Sequence, residues 1–188
     1  MLKYLEQEAR YIEITGFENI KVEEPEQILN IIRRHKNPDL SIQFFNADLI
    51  ATWEHLYFAA VNALKAFETE RNISKDLAVE IMLYASAQRQ IRKAIEIIGI
   101  NSNCTNIAVI IVGKTHTDFE TELSSVSKYF CKQPNESVLK LTTSKKDHIR
   151  RMFGITDDEI SVVTKNDNIN CALVNLVLER TALLSTKL

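Results

Sequence analysis

Cysteine, long apolar runs and surplus charge are all scarce in this 188-residue chain, and each scarcity removes a class of protein. Only three cysteines occur, Cys104, Cys131 and Cys171. They are far apart and set in apolar surroundings, so neither a disulfide framework nor a zinc knuckle is indicated. A reducing, cytoplasmic setting is the expectation. No apolar run approaches the roughly 18 residues needed to span a membrane, and the opening Met1-Leu2-Lys3-Tyr4-Leu5-Glu6-Gln7-Glu8 is too acidic for a secretory leader. A soluble protein with no membrane partner is expected. Net charge is −2 with 26% charged residues, so any attraction to nucleic acid has to come from a local patch.

Catalytic motifs are missing too. The four histidines, His35, His55, His116 and His148, show no H-E-x-x-H spacing and no nearby cysteine, so no metal is expected. There is no G-x-S-x-G elbow, no cysteine with an activating neighbour and no pair of carboxylates in an apolar setting, so neither catalysis nor a cofactor is expected. Gly113-Lys114-Thr115 follows an apolar run as a phosphate-binding loop would. Ala108 stands where that motif's first glycine belongs, however, and Val109 to Val112 look like strand rather than a curling loop. A strand-to-helix turn with a surface lysine is the simpler reading.

What is present is enough apolar residue, 45% of the chain, to bury one core, which makes residues 1–188 a single domain. Residues 11–15 read as a strand closed by Gly16. A helix follows from Pro25, with Ile28, Leu29, Ile31 and Ile32 on its buried side, and Asn37-Pro38 stops it. Residues 41–45 suit a strand. Thr52 then caps a long helix whose Trp53, Leu56, Tyr57, Ala60, Leu64 and Phe67 repeat at three and four. Ser74 is expected to cap the next helix. Residues 106–112 are short and β-branched enough to form a strand buried on both faces, central in a sheet. Thr117-Asp118-Phe119-Glu120 reads as a capping box, residues 137–141 as a further strand, Ser144 as the start of a helix ending near Gly154, and 168–184 as an apolar last helix. The class is α+β, a helix-rich domain around a small mixed or antiparallel sheet.

The basic residues are uneven. Seven glutamates before position 27 make the start acidic, whereas Arg89, Arg92 and Lys93 cluster, as do Lys140, Lys145, Lys146, Arg150 and Arg151. The stretch from Glu80 to Gly99 is the most specialised. Ile91, Ala94, Ile95 and Ile98 form one apolar helical face with Gly99 at its end, which puts Gln88, Arg89 and Gln90 in a first turn and Ser86 at the N-cap. Such a corner suits a polyanion or a nucleobase edge. The plainer alternative is a hydrated helix start in which Arg89 pairs with Glu80 or Glu96. The last helix carries Val174, Val177, Leu178, Leu183 and Leu184, more than one packed stripe needs, so either it packs throughout or part of it meets a partner.

Two segments carry a family resemblance. Glu80-Ile81-Met82-Leu83-Tyr84-Ala85-Ser86-Ala87-Gln88-Arg89-Gln90-Ile91, continued by Ala94-Ile95 and Gly99, is similar to a signature of the PRPK-binding proteins, the small kinase-associated regulatory subunit of the KEOPS tRNA-modification complex, archaeal type. Ile42-Gln43-Phe44-Phe45-Asn46-Ala47-Asp48-Leu49-Ile50-Ala51-Thr52 resembles the strand and N-A-D turn before that family's long helix, and Val177-Leu178-Glu179-Arg180-Thr181-Ala182-Leu183-Leu184 its last helix. Ala87 departs from the glycine usual there, which bears on how closely a ligand approaches.

The resemblance implies a non-catalytic subunit that supports threonylcarbamoyladenosine formation in tRNA. It implies tRNA contact, at the 3′ CCA end, through Ser86, Gln88, Arg89, Gln90, Arg92 and Lys93. It also implies contact with the kinase-like ATPase subunit, and through it the threonylcarbamoyl-transferase subunit, by Val177, Leu178, Leu183 and Leu184. The alternative is a protein-only regulator of the kinase-like subunit.

Overall fold

The structure is a computed structural model, and it describes residues 1–26, 28, 37, 39–166 and 168–186. Strands β1 (Leu2–Leu5), β2 (Arg10–Phe17), β3 (Leu40–Asn46) and β4 (Ile107–Gly113) form one antiparallel sheet in the order β1-β2-β4-β3. β4 is interior, as its unbroken apolar run requires, and every one of its residues is buried. In register, Ile12 faces Val112 and Ile14 faces Ile110. Strand alternation therefore sends Ile12, Ile14, Phe45, Ala108, Ile110 and Val112 to one face and Phe17, Ile42, Phe44, Ile107, Val109 and Ile111 to the other.

On the first face lie α1 (Trp53–Glu68), α2 (Leu77–Ser86) and, outside α2, the short α3 (Ile91–Ile98). On the second lies α4 (Thr117–Phe130), contributing Phe119 and Val126, together with Ile28. Helices α5 (Thr143–Phe153), α6 (Asp157–Val163) and α7 (Ile169–Ala182) close a third cluster around Ile149, Phe153, Leu173, Leu176 and Val177. The fold is α+β with seven helices among the described residues, and none of these is long and apolar enough to cross a membrane.

Several local expectations need correction. Residues 137–141 are not a strand: Glu136–Leu139 is a 3-10 turn, because Val138 and Leu139 are both buried and an extended chain would send neighbours to opposite sides. That turn presses on β2 at Gly16, where a β-carbon would stand 2.2 Å from Val138 Cγ2 and 2.7 Å from the Ile107 carbonyl oxygen. Only glycine allows this approach.

Ser74 does not cap α2. Asp76 does, accepting from Ala78 N at 2.8 Å, while Ser74 Oγ accepts from Asp76 N. The box expected at Thr117 does not form, since the chain already turns helical at His116 and Asp118 is drawn to Asn37 and Thr115. A complete capping box does form between Thr156 and Glu159, opening α6, a helix absent from the sequence reading, as was β1. The last helix ends at Ala182 and continues as a 3-10 turn, Leu183–Thr186. Of the helix expected from Pro25, Leu29, Ile31, Ile32 and the stop at Pro38 lie outside the described residues, and Ile28 is buried.

Candidate functional site

The polar corner forms where α2 hands over to α3. Ser86 is the last residue of α2, not an N-cap: it is 1% exposed and its hydroxyl donates to the Met82 and Leu83 carbonyls at 2.9 and 3.1 Å. The hydroxyl's donor is spent on the helix end. Ala87 follows in the left-handed region at φ 52°, ψ 33°, and the amides of Ala87 and Gln88 return to the Tyr84 and Leu83 carbonyls. This is the backbone geometry that favours glycine after a helix, so Ala87 carries backbone strain at a helix end.

Gln88, Arg89 and Gln90 are thus a connection between two helices and not a first turn. Gln88 is half-buried with Nε2 donating to Ser86 O at 3.4 Å, Arg89 is exposed, and Gln90 is the N-cap of α3 without a side-chain bond. Arg92 and Lys93 point to solvent, and Arg92 pairs with Glu96 at 3.0 Å. Glu80, the other carboxylate considered for Arg89, is fully buried and receives Ile73 N at 3.0 and 3.1 Å and Ser74 N at 2.7 Å. The apolar face expected on α3 is only half covered. Ala94 and Ile98 are buried, whereas Ile91 and Ile95 are 42% and 52% exposed. An eight-residue helix resting on α2 has neighbours enough to cover two of the four.

Two titratable groups are buried at this corner. His55 of α1 accepts from Ala51 N at Nδ1 and lies 2.8 Å from the Ala85 carbonyl at Nε2, so the proton sits on Nε2. Complete burial holds the ring's pKa down at about 4, despite the favourable Ala85 contact. Tyr84, 4% exposed, has its phenol pushed up by burial first and by the Glu80 charge second, with the Arg89 guanidinium pulling the other way.

Arg89 also borders a cleft of about 610 Å³. Asn62, Lys65 and Thr69 at the end of α1, Arg71 and Ile73 in the next loop, Tyr84, and Leu184, Ser185 and Thr186 of the final turn form its walls. Three cations from three segments, Lys65, Arg71 and Arg89, therefore line one space with amide and hydroxyl groups. Lys65 and Arg71 escaped the sequence reading because no spacing links residues 65, 71 and 89; only the packing of α1 on α2 does. The Lys140 to Arg151 cluster does not make a continuous track. Lys145 is 4% exposed, its amine bonded to the Val138 and Ile50 carbonyls and pushed by burial down to about 8. Arg150 is held by Asp157 at 2.6 Å. Gly113 closes β4 and Lys114 pairs with Asp39 at 2.8 Å, the plain surface lysine of a strand-to-helix turn.

The family model described as kinase binding protein CGI-121 matches residues 17–185. The chain belongs to the CGI-121 kinase-binding family. It is 31% identical over 119 residues to the regulatory protein Cgi121 of Methanocaldococcus jannaschii, an alignment covering 63% of this chain and 74% of that protein. Of the residues assigned by resemblance to kinase contact, Val177 is 0% and Leu184 1% exposed, both in the core. Of those four, Leu178, half-buried on the last helix, and Leu183, exposed in the turn after it, are the ones that reach the surface.

Proposed function

We propose that this chain is a non-catalytic regulatory subunit of a KEOPS-type assembly, binding a kinase-like ATPase subunit at one face and the single-stranded 3′ CCA end of tRNA at the cleft. Through the kinase-like subunit it joins the threonylcarbamoyl-transferase subunit, and it supports threonylcarbamoyladenosine formation in tRNA. The observation that carries the RNA half is the cleft itself. Unpaired nucleotides are held by cations on phosphate and by polar groups on ribose and base edges. Lys65, Arg71 and Arg89 supply the first, and Asn62, Thr69, Ser185 and Thr186 the second. The volume falls in the range of small-ligand pockets, roughly 300–1,000 Å³. Holding the tail raises the effective concentration of the rest of the tRNA at the distant transferase subunit. Membership of a kinase-binding family carries the other half.

The test is tRNA binding at fixed salt, with and without the terminal CCA, for the unmodified chain and for Arg89→Glu and Lys65→Glu. Each variant is expected to weaken binding about tenfold or more and to flatten the salt dependence by about one contact, and trimming CCA should abolish the difference between proteins. Equal binding in every combination removes the cleft as the tail site. No binding by the unmodified chain leaves the protein-only regulator, the reading that the exposed isoleucines of α3 favour.

A further inference from the structure

The aliphatic hydroxyls that wall the cleft have already given away their protons. Thr69 Oγ1 donates to the Lys65 carbonyl at 2.8 Å, Ser185 Oγ to Ala182 at 2.8 Å and Thr186 Oγ1 to Leu183 at 2.9 Å. Asn62 behaves similarly: its Nδ2 donates to the Phe58 carbonyl at 2.8 Å, and because a carbonyl can only accept, this bond fixes which end of the amide is the oxygen. A hydroxyl carries a single hydrogen, so the three hydroxyls are left with lone pairs alone, and the amide keeps its oxygen and one N–H. The other hydroxyl of the cleft, the phenol of Tyr84, belongs to a side chain that is 4% exposed. Bonding back to the helix is common for serine and threonine. Here it leaves three hydroxyls from two distant segments accepting into one space.

We infer that the cleft selects nucleobases bearing an exocyclic amino group and rejects uracil, with Thr69, Ser185 and Thr186 as the residues that set the preference. The inference rests on the reading that single-stranded RNA occupies this cleft, and it adds which bases the cleft takes and which atoms read them. The amines of cytosine and adenine are donors, whereas uracil places a carbonyl oxygen where cytosine has its amine. Unpaired bases present these edges to side chains. A carbonyl set against a lone pair is repelled, and a hydroxyl that turns to meet it gives up its bond to the backbone. Lys65 and Arg71 do not reverse the choice, because every nucleotide brings a phosphate whatever its base. The cations therefore set affinity and the hydroxyls set identity. Cytosine, cytosine and adenine all carry the amine, so a CCA end meets the acceptors at each base.

The experiment measures binding of the full chain to one tRNA at fixed salt, with the 3′ end CCA, UUA or trimmed away. The UUA end keeps every phosphate and exchanges amine for carbonyl at two bases. It should bind about tenfold or more weakly than CCA, and still more tightly than the trimmed tRNA. Thr69→Val and Thr186→Val each remove an acceptor at nearly constant shape. Each should narrow the gap between CCA and UUA by about threefold, through weaker CCA binding alone, with the melting temperature unchanged. Thr186 lies in the final turn and is exposed, so its variant keeps the test open where Thr69→Val folds poorly. CCA and UUA bound equally, and both more tightly than the trimmed tRNA, overturn the inference while the cleft remains the tail site. A gap that survives undiminished in both variants overturns it as well, since other groups then read the bases. Equal binding of all three ends, or no binding at all, removes the cleft reading and this inference together.

Discussion

One buried carboxylate holds the loop that walls the cleft, and removing it should cost both stability and ligand binding. Glu80, in the first turn of α2 and 0% exposed, accepts three contacts from two backbone amides, those of Ile73 and Ser74. Arg71 and Ile73 of that loop face the cleft. Glu80→Ala leaves two N–H groups facing a space that water fills poorly, at about 1–3 kcal/mol each. The expected loss is about 3–5 kcal/mol, a large part of a total that is typically about 5–15 kcal/mol. At about 2–4 °C per kcal/mol for a chain of this size, the melting temperature should fall by roughly 6–20 °C. Glu80→Gln keeps the volume and one acceptor oxygen but turns an NH₂ group toward donors, so it should lie between. Urea titration with the slope unchanged is the assay, followed by tRNA binding well below the melting point, where Glu80→Ala should bind more weakly although it touches no ligand. A melting temperature within about 2 °C of the unmodified chain, or Gln as damaging as Ala, would refute the reasoning.

Two further predictions concern the same corner. Ala87→Gly removes the strain of a β-carbon at φ 52°, about 1–2 kcal/mol, against about 0.4–1 kcal/mol of added unfolded-chain entropy, so it should stabilise slightly, by roughly 0.5 kcal/mol in urea titration. A destabilised Ala87→Gly would mean that the methyl group's packing against the third cluster outweighs the strain. His55 is held neutral with its pKa near 4, below the ordinary 6.5. Its contribution is whole above about pH 6.5 and is lost as pH falls toward 4, because the unfolded chain takes the proton first, for a total of roughly 3 kcal/mol. Urea midpoints should drop over that interval and the drop should shrink in His55→Gln, while the His55 ring signal in NMR stays that of the neutral form at pH 5.

Much of the fold is legible in the sequence because it rests on local pattern. The β-branched run at 107–113 can only be an interior strand, and the three-and-four repeat of Leu56, Ala60 and Leu64 can only be a buried helix face. Caps at Thr52, Asn168 and Gly154 mark real boundaries for the same reason. β1 escaped because four residues with an exposed face carry almost no periodic signal until β2 pairs with them. The α2–α3 corner was located correctly and its contents were not. Sequence places Ser86 beside Gln88, but only the helix end shows its hydroxyl folded back on Met82 and Leu83. Periodicity aligned Ile91 and Ile95 with Ala94 and Ile98, yet it is silent on how much of that face the neighbours cover. Sequence groups Lys145 with the basic residues around it, but only the packing of α5 brings its amine to two buried carbonyls. By itself the sequence determined what short-range sterics, alternation and capping decide: the helices other than α6, the central strands and the polar corner between α2 and α3. Only the tertiary structure decided which side chains face inward and which meet across the cleft, because burial and the meeting of residues 65, 71, 89 and 184 depend on segments far apart in the chain.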